Sequence, residues 1–182
     1  MRINLLMDKS ESIVFEKKAT LRSILTLGLV LLLASSPALA EELVRLNLDD
    51  VSSLGLTIVS DPRIKVEGKS SIKITTRHPT TVCLGEVAGL NLENATLIYS
   101  AQVKSQLDGS ALLEMWVKVD SGRYFSRGVN STIKGNSDWR LIQTPFIFQK
   151  GQNPDRITLN LIINGTGTVW IDDIILSKSA LN

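Results

Sequence analysis

The 182-residue sequence carries 20 Lys and Arg against 18 Asp and Glu, with 43% apolar and 21% charged residues, a balance that suits one folded domain and excludes wholesale disorder. A single Cys and a single His exclude an intramolecular disulfide and a four-ligand Cys/His zinc cluster. They also leave His78, followed by Pro79 and accompanied by no Ser motif, as the only imidazole for Ser-His or Cys-His chemistry.

The first forty residues read as an address. Lys17, Lys18 and Arg22 lead into the apolar run LRSILTLGLVLLL, Leu21 to Leu33, which is followed by ASSPALA. A basic region, a short apolar core and small residues at Ala38 and Ala40 form a secretory signal peptide, with cleavage expected after Ala40. Its n-region is long and includes Asp8, Glu11 and Glu16. The alternative is an uncleaved anchor, but the uninterrupted run from Ile24 to Ala34 falls short of the about 20 residues a spanning helix needs. The lone cysteine, Cys83, is far from the cleavage site, so nothing supports a lipid anchor. The expected location is therefore secreted or periplasmic, with no stable membrane insertion after cleavage. Residues 1–40 hold five of the 20 basic and three of the 18 acidic residues, which leaves 15 of each in 41–182. A neutral mature chain offers no nucleic-acid stripe.

From residue 41 onward the hydrophobic period is 2. Strands are expected at Leu43 to Leu48, Leu56 to Val59, Ser70 to Arg77, Thr81 to Val87 and Thr96 to Lys104. They continue at Ala111 to Val119, Arg123 to Asn130, Trp139 to Phe148, Arg156 to Asn164 and Thr168 to Ser177. Turn signals separate them, among them Asp108-Gly109, Ser121-Gly122, Lys134-Gly135-Asn136 and Asn164-Gly165-Thr166-Gly167. Ten short strands, no helical stripe and no internal repeat predict an all-β fold. It is an antiparallel β-sandwich of jelly-roll type, occupying 41–182 as a single domain. Cys83, in the strand-like TVCLGEV, is expected as a small buried residue.

Residues 66–177 carry a resemblance. Gly165 to Leu176 reads GTGTVWIDDIIL, preceded by RITLNLII and, further upstream, by GNSDW at Gly135 to Trp139. Before these come VEGKSSIKI from Val66, NATLIYSAQVK from Asn94 and SALLEMWVKV from Ser110. This order resembles the galactose-binding-like jelly roll of many carbohydrate-binding modules, although the opening RLNLDDVSSLGL departs from the usual first strand. The resemblance implies a core position for Trp139 and a binding role more often than a catalytic one.

Asp172 and Asp173 are strand neighbours on opposite faces, so they cannot act as a glycosidase pair. Parity groups Asp172 with Trp170, Ile174 and Leu176, an inward side on which Trp170 is core and a carboxylate needs a partner. A structural calcium ion is one such partner, held with Asp49 or Asp50 and carbonyls near Lys69, and the resemblance implies calcium in about this place. The alternative is a carboxylate capped by backbone N–H groups or paired with an Arg.

In Ala111 to Val119 the odd positions face inward, so Trp116 points outward between Glu114 and Lys118. An apolar ring beside hydrogen-bonding groups is the chemistry a sugar needs. The alternative is a Trp covered by a loop or a neighbouring strand. Gln102 and Asn160 also point outward, and Tyr124, Phe125 and Arg127, in GRYFSRG, are candidates for the rim of a site, or else a solvated edge. The expected protein is a non-catalytic binding module, most readily for carbohydrate. The alternative is an envelope protein-interaction or structural β-sandwich without a glycan ligand.

Overall fold

The computed structural model describes residues 40–46 and 58–181. The reading of the leader, and Asp49 and Asp50, lie outside the described residues. Eight strands follow in chain order: β1 Glu41–Arg45, β2 Ile58–Asp61, β3 Ser71–Thr76, β4 Thr80–Val87, β5 Ala95–Val119, β6 Gly122–Arg127, β7 Ile133–Phe148 and β8 Arg156–Ala180. A single 3-10 turn, Val129–Ser131, links β6 to β7. All pairings are antiparallel, and no α-helix occurs among the described residues.

β5 and β8, each 25 residues long, pair along their whole length, from Ala95 opposite Ala180 to Lys118 opposite Arg156. At the Lys118 end they are flanked by β6 on one side and β4 on the other. At the Ala95 end they are flanked by β7 on one side and by β1, β3 and β2 on the other. The odd positions of β5 are buried from Leu97 and Tyr99 in one half to Leu113, Met115 and Val117 in the other. They all join one core cluster. A flat sheet cannot gather one face of both its ends, so the ladder folds over and its halves form the two layers of a sandwich. Each fully buried Leu or Ile contributes roughly 1.5–3 kcal/mol to holding the layers together. Tyr99, the largest fully buried side chain among the described residues, is held protonated by burial far above its ordinary range, and its hydroxyl points at the Asn160 carbonyl.

Three of the expected turns are therefore not turns: Lys134-Gly135-Asn136 lies within β7, and the other two lie within β5 and β8. Asp108-Gly109 and Asn164-Gly165 lie inside the long strands, where Gly109 stands opposite Gly165. Their φ values are +140° and +150°, and a Cβ on either would come within 2.1 Å of a carbonyl oxygen of the other strand. Glycine is read as a turn from sequence, but here it lets two paired strands bend together from one layer into the other. Four expected strands thereby become two.

A second departure follows from Asp173, whose φ is +50°. Between Asp172, opposite Gln102, and Ile175, opposite Ser100, β8 holds one residue more than β5. The bulge reverses the alternation. Ile174 and Leu176 face the core, whereas Trp170 and Asp172 face outward with Thr168. Trp170 is buried as expected but on the outer face, outside the contiguous core cluster, whereas Trp139 is only half-buried and is not the core residue expected. Cys83 is exposed, because it alternates with buried Val82 and Leu84 on β4.

Candidate functional site

The outer face of the layer built by β4, β6 and the adjoining halves of β5 and β8 presents three cross-strand rows. Residues directly opposite in an antiparallel pair share a face. The first row joins Arg127, Glu114 and Asn160. The second joins Phe125, Trp116, Thr158 and Glu86. The third joins Arg123, Lys118 and Arg156. The tight β5–β6 hairpin, with Asp120 at φ +51° between Val119 and Gly122, sets the register of β6 against Trp116.

Trp116 faces outward, as its parity predicts, and is half-buried. It is not a bare platform. The Arg123 guanidinium lies 4.4 Å from the centre of the ring, and the Phe125 ring stands 5.0 Å away at 44°. The indole N–H donates to Glu114 Oε1 at 2.8 Å.

Glu114 differs most from expectation. It is 3% exposed and not free to meet a ligand hydroxyl. Besides Trp116 it accepts from Asn160 Nδ2 at 3.1 Å and from Arg127 Nε at 2.6 Å. Burial pushes its carboxyl up, but the hydrogen bonds from Arg127, Asn160 and Trp116, with the Arg127 charge, outweigh it. Glu114 is thus held below the usual carboxylate range. It ties three strands together and fixes the indole and guanidinium beside it. Arg127 is half exposed, and its guanidinium lies 5.1 Å over the Phe125 ring.

Between the second and third rows lies a cavity of about 440 Å³, lined by Trp116, Thr158, Glu86, Lys118, Arg156, Arg123 and Asp155. Lys118 pairs with Asp155 at 3.6 Å and Arg156 with Glu86 at 3.3 Å, both at exposed positions. Lys118 thus lines the cavity. Tyr124 does not: it stands opposite Val117 on the other side of β6, with Phe146 6.5 Å away. Strict alternation separates it from Arg123, Phe125 and Arg127. Gln102 faces outward in the other layer. Glu86, Arg123, Asp155, Arg156 and Thr158 were not foreseen. Hairpin arithmetic across Asp120 and Ser121 would have found Arg123, while the others depend on the pairing of β5 with β8.

At the expected metal place Asp172 carries the backbone caps given as the alternative to calcium. Asp172 Oδ2 accepts from the amides of Val66 at 2.7 Å and Glu67 at 3.1 Å, and Oδ1 accepts from the Asp173 amide at 2.8 Å. The carbonyls of Gly68 and Lys69 accept from the Lys65 ammonium at 2.8 and 3.1 Å. Each of these oxygens has a donor within the chain, and the other expected calcium ligands, Asp49 and Asp50, lie outside the described residues. No cluster of three or more His, Cys, Asp or Glu side chains suited to a metal occurs among the described residues. Arg45 closes the same region, bridging Asp173, Glu67 and Glu42.

No protein-family model matches the chain, and no curated protein sequence matches it. Solved structures do. One is the two-module chain of a Clostridium thermocellum endo-1,4-β-D-xylanase, a family 22 carbohydrate-binding module with a family 10 glycoside hydrolase, complexed with xylohexaose. It matches at 16% identity and a TM-score of 0.52, over 71% of this chain and 26% of that one, so the match spans about a quarter of the xylanase chain. A xylan-binding domain of family 22 matches at 12% identity and a TM-score of 0.50, over 69% of this chain and 83% of that domain. At these identities the likeness is one of fold: the described residues share the β-sandwich of these two structures.

Proposed function

We propose that the chain is an exported, non-catalytic module that binds carbohydrate on the outer face of the β4–β8–β5–β6 layer. The observation that carries this reading is the cavity beside Trp116. It sets the Trp116 ring, buttressed by Phe125 outside the lining, next to donors on Lys118, Arg156 and Thr158 and acceptors on Glu86 and Asp155. A saccharide offers an apolar C–H face and a rim of hydroxyls, and this is the complementary arrangement. The family 22 neighbours, one complexed with xylohexaose and one a xylan-binding domain, support the same ligand class. Export rests on the leader sequence. Absence of catalysis rests on Glu114, which is engaged by three partners and not poised to exchange a proton.

The test is calorimetric titration of the mature protein with a panel of soluble polysaccharides, repeated with Trp116→Ala. Loss of the ring should weaken binding by roughly tenfold while the protein stays folded. If no polysaccharide binds the folded wild-type protein, the reading fails. The exposed Leu141 and Ile147 on the opposite outer face then favour the interaction-domain alternative.

A further inference from the structure

Arg123, Lys118 and Arg156 stand directly opposite one another on three adjacent strands. Like charges in such positions repel and cost stability, so a row of three cations needs anions. Two are supplied: Asp155 reaches Lys118 and Glu86 reaches Arg156. Among the described residues none is supplied for Arg123, whose only recorded side-chain interaction is the one with the Trp116 ring. The guanidinium lies over the Trp116 ring and lines the cavity, with no carboxylate of the described residues paired to its N–H groups. The neutral balance of residues 41–182 gives no general reason for a cation surplus at this place.

From this geometry we infer that the saccharide taken by this site is acidic, with a sugar carboxylate received by the Arg123 fork beside Trp116. The inference rests on the carbohydrate reading and adds the charge of the ligand to it. A planar fork of two N–H groups matches a carboxylate in two parallel hydrogen bonds. The aromatic floor sits one row away, within the reach of one sugar ring. Lys118 and Arg156 extend the positive row for a second acidic residue, with their own carboxylates as the neighbours to be displaced.

The experiment titrates the mature protein with trigalacturonate, its methyl ester and xylotriose, at low and physiological salt. It is repeated with Arg123→Ala and Arg123→Lys, exposed substitutions that leave the core untouched. The expected result is that trigalacturonate binds at least tenfold tighter than its ester, and that salt erodes the difference. Arg123→Ala should abolish that difference, lowering trigalacturonate to the affinity of its ester, since it removes the carboxylate partner. Arg123→Lys should restore only part of it, because an ammonium lacks the fork. Equal affinity for the acid and its ester overturns the inference and leaves the carbohydrate reading standing. Tighter binding of a sulfated trisaccharide, or equal binding of polyglutamate, also overturns it. The first replaces the carboxylate by another anion, and the second makes the site a reader of charge alone. Failure of all saccharides removes the carbohydrate reading, and the inference with it.

Discussion

The two outer faces of the sandwich each carry a tryptophan bonded to a carboxylate, yet they are finished differently. On one face Trp170 donates to Asp61 Oδ2 at 3.0 Å, and Trp170 is 4% exposed. On the other, Trp116 donates to Glu114 and borders an open cavity. Each face also buries one carboxylate. Asp172 is capped by backbone amides of the segment that follows β2, whereas Glu114 is capped by side chains of three strands. The same chemistry thus closes one face with the protein's own chain and leaves the other for something else. Amides fixed in a loop make a clamp. Side chains that touch both a carboxylate and a cavity make a positioned surface.

This contrast can be broken most forcefully at Asp172. Asp172→Ala strands three amides and releases the loop, and urea denaturation should register a loss of about 3 kcal/mol. Saccharide affinity should stay unchanged, because the site lies in the other half. Glu114→Ala should cost about 2 kcal/mol, a figure discounted for the half-exposed Arg127. It should also weaken saccharide binding, since Trp116 and Arg127 lose their common anchor. A Glu114→Ala protein with unaltered affinity would remove the distinction between clamp and positioned surface.

Acid sharpens the same comparison. Glu114 has a folded pKa below its unfolded one, so its stabilisation is fully present above about pH 4.3 and is lost as pH falls through the lowered folded value. The stability gap between wild type and Glu114→Gln should therefore narrow below about pH 4 in denaturant melts taken across pH. The smallest effect belongs to Tyr124→Ala. Half exposed and on the far side of β6, it should change stability by about 0.5 kcal/mol and leave affinity untouched.

Much of the site was legible because period 2 is a local property. Inward odd positions in Ala111 to Val119 put Glu114, Trp116 and Lys118 in one outward-facing row along β5, and the structure agrees. That periodicity says nothing about what lies beside the row. Glu114 looked like a solvent-facing group, but Arg127 and Asn160, 13 and 46 residues away in sequence, bury it. Parity also holds only until a bulge. Asp173 adopts a conformation that Asp tolerates better than most residues, and every position after it changes side. Tyr124 and Arg127 were grouped by proximity in sequence, which a strand turns into separation.

The glycine pair where β5 and β8 bend has a consequence for how the domain folds. Both layers are built on the same two ribbons, so neither layer has central strands of its own. Pairing begins most cheaply between Lys118 and Arg156, 38 residues apart, and must travel to Ala95 and Ala180, 85 residues apart. A zipper of such high contact order belongs to the slow class of domains, folding in milliseconds to seconds. It also leaves no half to open by itself. Amide protons of Leu97 and Leu113, in different layers but on one strand, should exchange with the same opening free energy, that of the whole domain.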